Sequence, residues 1–206
     1  MTSTKFLGIF IDSELNWSAH IDHVLSKLAK SVGIINKVKS LFPISVLINL
    51  YFTLIYPHLL YCILVWGAAD QKYLNQIKLL QNRALRTITF SKYRTKLNKL
   101  YKQVQCLKFE DIYFSQLVTF MFKVKNHFLP SVCNKYLAPT NRSTEMSLRR
   151  HYNLAHDFAR SKIRCKHVSV AGPIHWESLS KELQLSNSLV QFKKNMHEWL
   201  LLKYTD

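Results

Sequence analysis

"ISVLINLYFTLIYPHLLYCILVWG", Ile44 to Gly67, sits in a run from Ser40 to Ala69 that holds no Asp, Glu, Lys or Arg. A charge-free stretch longer than about 18 residues meets the length rule for a membrane-spanning helix. Three features of the same stretch point elsewhere. Ser45, Asn49 and Thr53 recur every fourth residue, which at helical spacing makes one polar stripe on an otherwise apolar cylinder. Pro57 and His58 fall at mid-span, where a polar side chain beside a kink is costly in lipid. Lys37 and Lys39 precede the run and Lys72 and Lys78 follow it, so no positive-inside bias orients it. The expectation is a buried core helix that reaches about Trp66, is punctuated by Gly67, and is surrounded by amphipathic neighbours.

Around this run the chain of 206 residues reads as mainly α. Its 48% apolar content suffices for a core, and 4 Gly with 5 Pro supply few of the turns that a many-stranded sandwich or barrel needs. "KFLGIFI", Lys5 to Ile11, reads as one short N-terminal strand closed by Asp12 and Ser13. A long helix follows, capped by Asn16 or Ser18; Pro43 ends it or begins the next. Ile21, Val24, Leu25, Leu28, Val32, Ile35, Val38 and Phe42 share its apolar face. Another helix covers roughly Gln71 to Ile88 and turns Tyr73, Ile77, Leu80, Ala84 and Ile88 inward; shorter ones are expected near Thr95 to Gln103 and Phe109 to Phe128.

Pro130, Asn134, Pro139, Asn141 and Ser143 mark a linker over residues 129–144. The expected division is therefore a strand segment over 1–12, a helical region over 13–128, the linker, and a small α+β C-terminal module over 145–206. In that module Arg160, Lys162, Arg164 and Lys166 alternate with Ser161, Ile163, Cys165 and His167, the period of a strand with a basic face. A final amphipathic helix from Ser188 to Tyr204 sets Leu189, Phe192, Met196, Trp199 and Leu200 inward.

Charge narrows the function. Twenty-nine Lys and Arg against 12 Asp and Glu give a net charge of +17, a field that draws polyanions, nucleic acid first and an anionic membrane surface second. Between His23 and Phe109 one acid, Asp70, meets fourteen Lys and Arg. At about 100° per residue, His23, Lys27, Lys30 and Lys37 fall within an arc of about 80° on the polar side of the first long helix. Lys72, Arg83 and Arg86 cluster likewise on the next charged helix, and Lys92, Arg94, Lys96, Lys99 and Lys102 continue the strip. Charge runs are commonly plain solvated faces. Ridges of this regularity suit a phosphate backbone better.

Catalytic chemistry is not expected. The six Asp are scattered, no pair has the spacing to hold two magnesium ions, and there is neither a phosphate-cradling glycine loop nor a nucleophile elbow. His151, His156, Cys165 and His167 lack the tight ligand pair of a zinc site, so no metal and no cofactor is assigned. The four cysteines lie 27 to 44 residues apart without a CxxC pair and are read as reduced structural thiols. The opening "MTSTKFLGIFID" lacks the apolar core and cleavage site of a signal peptide, so an intracellular location, nuclear or cytoplasmic, is expected.

Taken in order, "KFLGIFID" with "LNWSAHI", "YFTLIYPHLLYCILVWG", "IKLLQNRALRTIT", "GPIHWESL" and "LVQFKKNMHEWLL" resemble the C-terminal part of a non-LTR retrotransposon reverse transcriptase of the jockey-like LINE group. The ordered set carries the resemblance. It departs from the group's W-N-x-L-P block at Glu177 and Ser180. The resemblance implies a helical thumb-like bundle, with Phe6, Leu7 and Gly8 in the hairpin that grips a primer terminus and the helix of Lys27, Lys30 and Lys37 tracking a duplex. It also implies that the Tyr/Phe-x-Asp-Asp turn and separate Asp of the family's palm, which do not occur in this sequence, would lie elsewhere.

The expected function is thus a nucleic-acid-binding C-terminal fragment of an RNA-directed DNA polymerase, inactive alone. Its expected partners are RNA or an RNA/DNA duplex, held through phosphates, and the palm of such a polymerase; no membrane span is expected. The expected binding residues are those named on the three basic strips, with Arg160, Lys162, Arg164 and Lys166. The alternatives are a stand-alone basic helical RNA-binding protein and a membrane-associated basic protein.

Overall fold

The computed structural model describes residues 3–133 and 165–205. They belong to two compact units, one of residues 1–113 with 200–206 and one of residues 114–199. The fold is mainly α, with two short strands at the N-terminus.

In the first unit, the segment expected as a single strand is a hairpin. β1 (Ser3–Phe6) pairs antiparallel with β2 (Ile9–Asp12), with Lys5 opposite Phe10. Leu7 and Gly8 connect them at φ of 44° and 82°. Positive φ at both positions of a two-residue turn matches the twist of the flanking strands, and glycine reaches it without strain. Apolar residues continue straight through this turn, so periodicity alone conceals it.

Buried Asp12 hands the hairpin over to helix α1 (Ser18–Val38). Its carboxylate accepts from the backbone N–H groups of Glu14 (3.1 Å), Asn16 (3.0 Å) and Trp17 (2.8 Å). Asn16 Oδ1 then accepts from the Ser18 N–H at 2.9 Å, so Asn16 rather than Ser18 serves the helix start. α1 buries Ile21, Val24, Leu28, Val32 and Ile35 as its spacing predicts, whereas Phe42 lies exposed beyond its end. It packs along α5 (Gln71–Ile88), whose buried face is Leu74, Ile77, Gln81, Ala84, Leu85 and Ile88. Tyr73 and Leu80, expected inward, are half-buried flanks of that face.

The charge-free run is three helices rather than one: α2 (Ile44–Leu54), α3 (Tyr56–Leu60) and α4 (Ile63–Trp66). Pro57 has no N–H for the Thr53 carbonyl and its ring crowds that oxygen, so α2 stops. Cys62, left-handed at φ 50°, ends the second piece. Beside each break a backbone carbonyl meets a side-chain donor. The Ser31 hydroxyl donates to Leu54 O at 3.0 Å, and Trp66 Nε1 donates to Tyr61 O at 2.8 Å. Leu47, Tyr51, Ile55, Leu59, Ile63 and Trp66 are buried, while Ser45, Asn49 and Thr53 are exposed. Among the described residues no helix is long and apolar enough to cross a membrane. At Gly67 a Cβ would stand 2.7 Å from the Tyr113 ring and closer still to Ile63 O, so the chain passes only as glycine.

α6 (Leu97–Val104) and the start of α7 (Phe109–Lys125) complete the unit around one buried amide. Gln81 Nε2 donates to Tyr51 Oη and to Leu107 O, both at 2.9 Å. Its Oε1 accepts from the Tyr101 hydroxyl (3.1 Å) and from the Phe109 N–H (3.0 Å). Residues 200–205 return to this unit: the Tyr204 hydroxyl donates to Asp111 and accepts from the Lys108 N–H at 2.9 Å. Beside Tyr51, burial pushes the Cys106 thiol up to about 12, so it stays protonated. Cys62, Cys106 and Cys133 are free thiols.

The second unit holds the rest of α7, then α8 (Val168–Glu177), α9 (Lys181–Gln184) and α10 (Leu189–Leu202) as far as Trp199. Phe122 stacks on Phe192 at 4.6 Å between ring centres, with Trp176 at 5.9 Å from Phe192. Arg160, Lys162 and Arg164 of the expected basic strand lie outside the described residues, as do His151, His156 and residues 134–144 of the expected linker. At the described end of that strand, Cys165 is helical and Lys166 lies in a turn. His167 keeps extended backbone, at φ −67° and ψ 146°, and its Nδ1 accepts from the Ser169 N–H at 3.2 Å and caps α8.

Two expectations follow. Gln81→Leu strands the Phe109 N–H and the Leu107 carbonyl in the core, each costing about 1–3 kcal/mol when unmet, while the Tyr101 hydroxyl keeps Asn82 Oδ1 at 2.8 Å. Urea unfolding should therefore show a loss of at least about 2 kcal/mol; a loss near zero contradicts the hub. The second concerns His20, which is 3% exposed, lies edge-on to Trp66 and has neither ring nitrogen hydrogen-bonded. Burial, and then the charge of His23, lower its pKa from the ordinary 6.5. Below about pH 6.5 the unfolded chain therefore binds more protons than the folded one, and stability present at neutral pH declines as pH falls, by up to about 1.4 kcal/mol per pH unit per histidine. His20→Phe should make the decline between pH 7 and 5 shallower; an unchanged decline rules His20 out as its source.

Candidate nucleic-acid interface

The cations of α1 stand on the flank that its apolar stripe leaves free. Lys27, Lys30 and Lys37 are exposed and His23 is half-buried. Two residues that sequence spacing alone misses join them. Lys5 reaches the group because the hairpin places it opposite Phe10. The ammonium lies 5.8 Å from the centre of the Phe10 ring, which rests 5.1 Å from the His23 ring. His58 reaches it because the break at Pro57 starts a new helix there.

Electrostatics bind the cluster into one field. Burial lowers the pKa of His23, followed by the positive charges of Lys27, Lys5 and Lys30. His58 is lowered by burial and then by Lys27 and His23. Two imidazoles of lowered pKa thus lie among three ammonium groups. A phosphate seated there relieves the repulsion and favours the protonated rings.

Phe6, Leu7 and Gly8 form the tip of the hairpin, with the Phe6 and Leu7 side chains exposed. The Tyr61 hydroxyl donates to Leu7 O at 2.6 Å and fixes that tip to the end of α3. A Cβ on Gly8 would lie 3.5 Å from the Tyr61 ring, so the positive φ rather than space demands glycine.

The second strip divides by role. Lys72 and Arg83 are exposed on α5, away from its buried face. Arg86 is half-buried and structural: Nη1 donates to Lys92 O (3.1 Å) and Thr95 O (3.2 Å), which clamps the loop after the helix. Lys92 and Arg94 are exposed on that loop, Lys96 precedes α6, and Lys99 and Lys102 are exposed along it. Lys78, a neighbour on α5, is paired with Glu110. In the second unit Lys166 is exposed at the turn before α8.

No family model matches the chain, and no solved structure matches it significantly. Two curated proteins do, both from Drosophila melanogaster. The chain is similar to the "RNA-directed DNA polymerase from mobile element jockey", 28% identical over 111 residues, or 52% of this chain. It is also similar to the "Probable RNA-directed DNA polymerase from transposon BS", 28% identical over 107 residues, or 50% of this chain. Each match spans 12% of the relative's own length. The chain is thus related in sequence, across about half its length, to a small part of retrotransposon reverse transcriptases.

Proposed function

We propose that this chain is the nucleic-acid-binding thumb and downstream region of a non-LTR retrotransposon reverse transcriptase, which holds RNA or an RNA/DNA duplex by its phosphates and does not itself polymerise. The observation that carries the reading is the cluster of Lys5, His23, Lys27, Lys30 and His58. Three elements bring five basic side chains to one face, where burial first and neighbouring cations second depress the histidines, and a phosphate would offset the second of these. The exposed hairpin tip beside it suits a primer end, and similarity to the two polymerases supports both assignments. In this sequence no Asp-Asp pair occurs to hold catalytic magnesium, so binding is assigned here and chemistry to a palm.

Phosphate contacts position a protein without specifying sequence, so affinity for an RNA duplex should be insensitive to base order and steep in salt. Each phosphate neutralised contributes a slope of about −0.9 in log K against log salt on a DNA duplex. Replacing Lys27, Lys30 and Lys37 together by Gln should flatten the slope by roughly two to three units with helix content unchanged. The control is Lys181, Lys193 and Lys194 to Gln, exposed residues of the second unit. Equal effects from both triple variants would mean that net charge alone matters and would remove the ridge. On a primed RNA template with magnesium and nucleotides the purified chain should incorporate nothing; measurable synthesis would overturn the division of labour.

A further inference from the structure

The loop over residues 89–96 joins α5 to α6 and carries two rings in water, Phe90 at 55% and Tyr93 at 87% exposure. Exposed cations stand between and around them: Lys92, Arg94 and Lys96. The loop is braced from beneath. Besides its two bonds to Lys92 O and Thr95 O, the Arg86 guanidinium lies 5.3 Å from the centre of the Tyr93 ring, so one face of that ring is backed by a fixed cation. The Thr89 hydroxyl bonds Leu85 O and Ser91 Oγ, both at 2.8 Å, and the Ser91 N–H returns to Arg86 O at 3.1 Å. Phe90 occupies the left-handed position just past the helix end, at φ 53°, where glycine is the relaxed choice. The fold therefore holds an aromatic ring in water at a site that disfavours side chains.

We infer that this loop is a binding site for single-stranded nucleic acid, in which Phe90 and Tyr93 stack on bases while Lys92, Arg94 and Lys96 meet phosphates. Rings alternating with cations are what an unpaired strand requires, because each of its nucleotides offers a free base face and a charge. A duplex offers phosphates but keeps its base faces covered along its length. A membrane surface would require a broader apolar patch than two rings separated by Lys92. The site is distinct from the α1 cluster, and the two fail separately: the Lys27, Lys30, Lys37 variant leaves all five loop residues in place.

The test is a labelled 12-nucleotide oligo(U) RNA, which has no structure of its own, beside an RNA hairpin duplex, both titrated with the full chain. The double variant Phe90→Gly with Tyr93→Ser changes no charge and relieves the backbone at residue 90. Oligo(U) affinity should fall about tenfold or more, with the salt slope unchanged and duplex affinity altered less than about twofold. Tyr93→Phe, which keeps the ring, should bind oligo(U) like the parent, and this separates stacking from any fault in folding. Oligo(U) binding unaffected by the double variant overturns the site. So does an equal loss on both nucleic acids, or loss of binding to anionic phosphatidylserine vesicles with oligo(U) binding intact.

Discussion

A single carboxamide organises the first unit. Gln81 lies in the middle of α5, where a leucine would fit the apolar pattern, and it spends all four of its hydrogen-bonding positions on other parts of the chain. Through it α2 is tied to α5 by Tyr51, α6 by Tyr101, and the connection into α7 by Leu107 and Phe109. Apolar packing would hold these elements together but tolerate sliding, since one aliphatic contact much resembles another. A buried amide whose partners must all be met admits one register. The positions of the helices that carry cations therefore descend from polar geometry inside the core as well as from burial.

The two interruptions of the charge-free run have the same character. Pro57 and Cys62 turn what composition presents as one long cylinder into a zigzag, and backbone carbonyls beside them are met by Ser31 from α1 and by Trp66 from the run itself. The zigzag is also what sets the exposed surface. It delivers His58 to the α1 cations and Tyr61 to the hairpin tip, so the candidate interface is assembled from residues on both sides of a kink.

Legibility in the sequence followed the strength of local rules. α5 emerged with its ends at Gln71 and Ile88, because eighteen residues of amphipathic spacing lie between Asp70 and a non-helical loop. α1 was equally plain. Periodicity hid the hairpin, which only the family resemblance implied, because Leu7 and Gly8 sit in an unbroken apolar stretch; with it went Lys5, whose neighbours are set by strand pairing. The division of the charge-free run was announced by Pro57, but the left-handed turn at Cys62 has no signature of its own. Among the basic residues, spacing grouped Lys27 with Lys30 correctly by face. It could not distinguish Arg86, whose Nη1 is held by two backbone carbonyls, from exposed Arg83 one turn earlier. That distinction belongs to the tertiary path of the loop.

Tyr204 docks between Lys108 and Asp111, 93 residues after the carboxylate it meets. During synthesis, at roughly 5–20 residues per second, that gap corresponds to on the order of 5 to 20 s in which the first unit exists on the ribosome without its closing side chain. Asp111 and the Lys108 amide lack their native hydroxyl partner for that interval. Completion of the first unit therefore waits for residues that follow the whole of the second, and its cationic surface forms before its core is sealed.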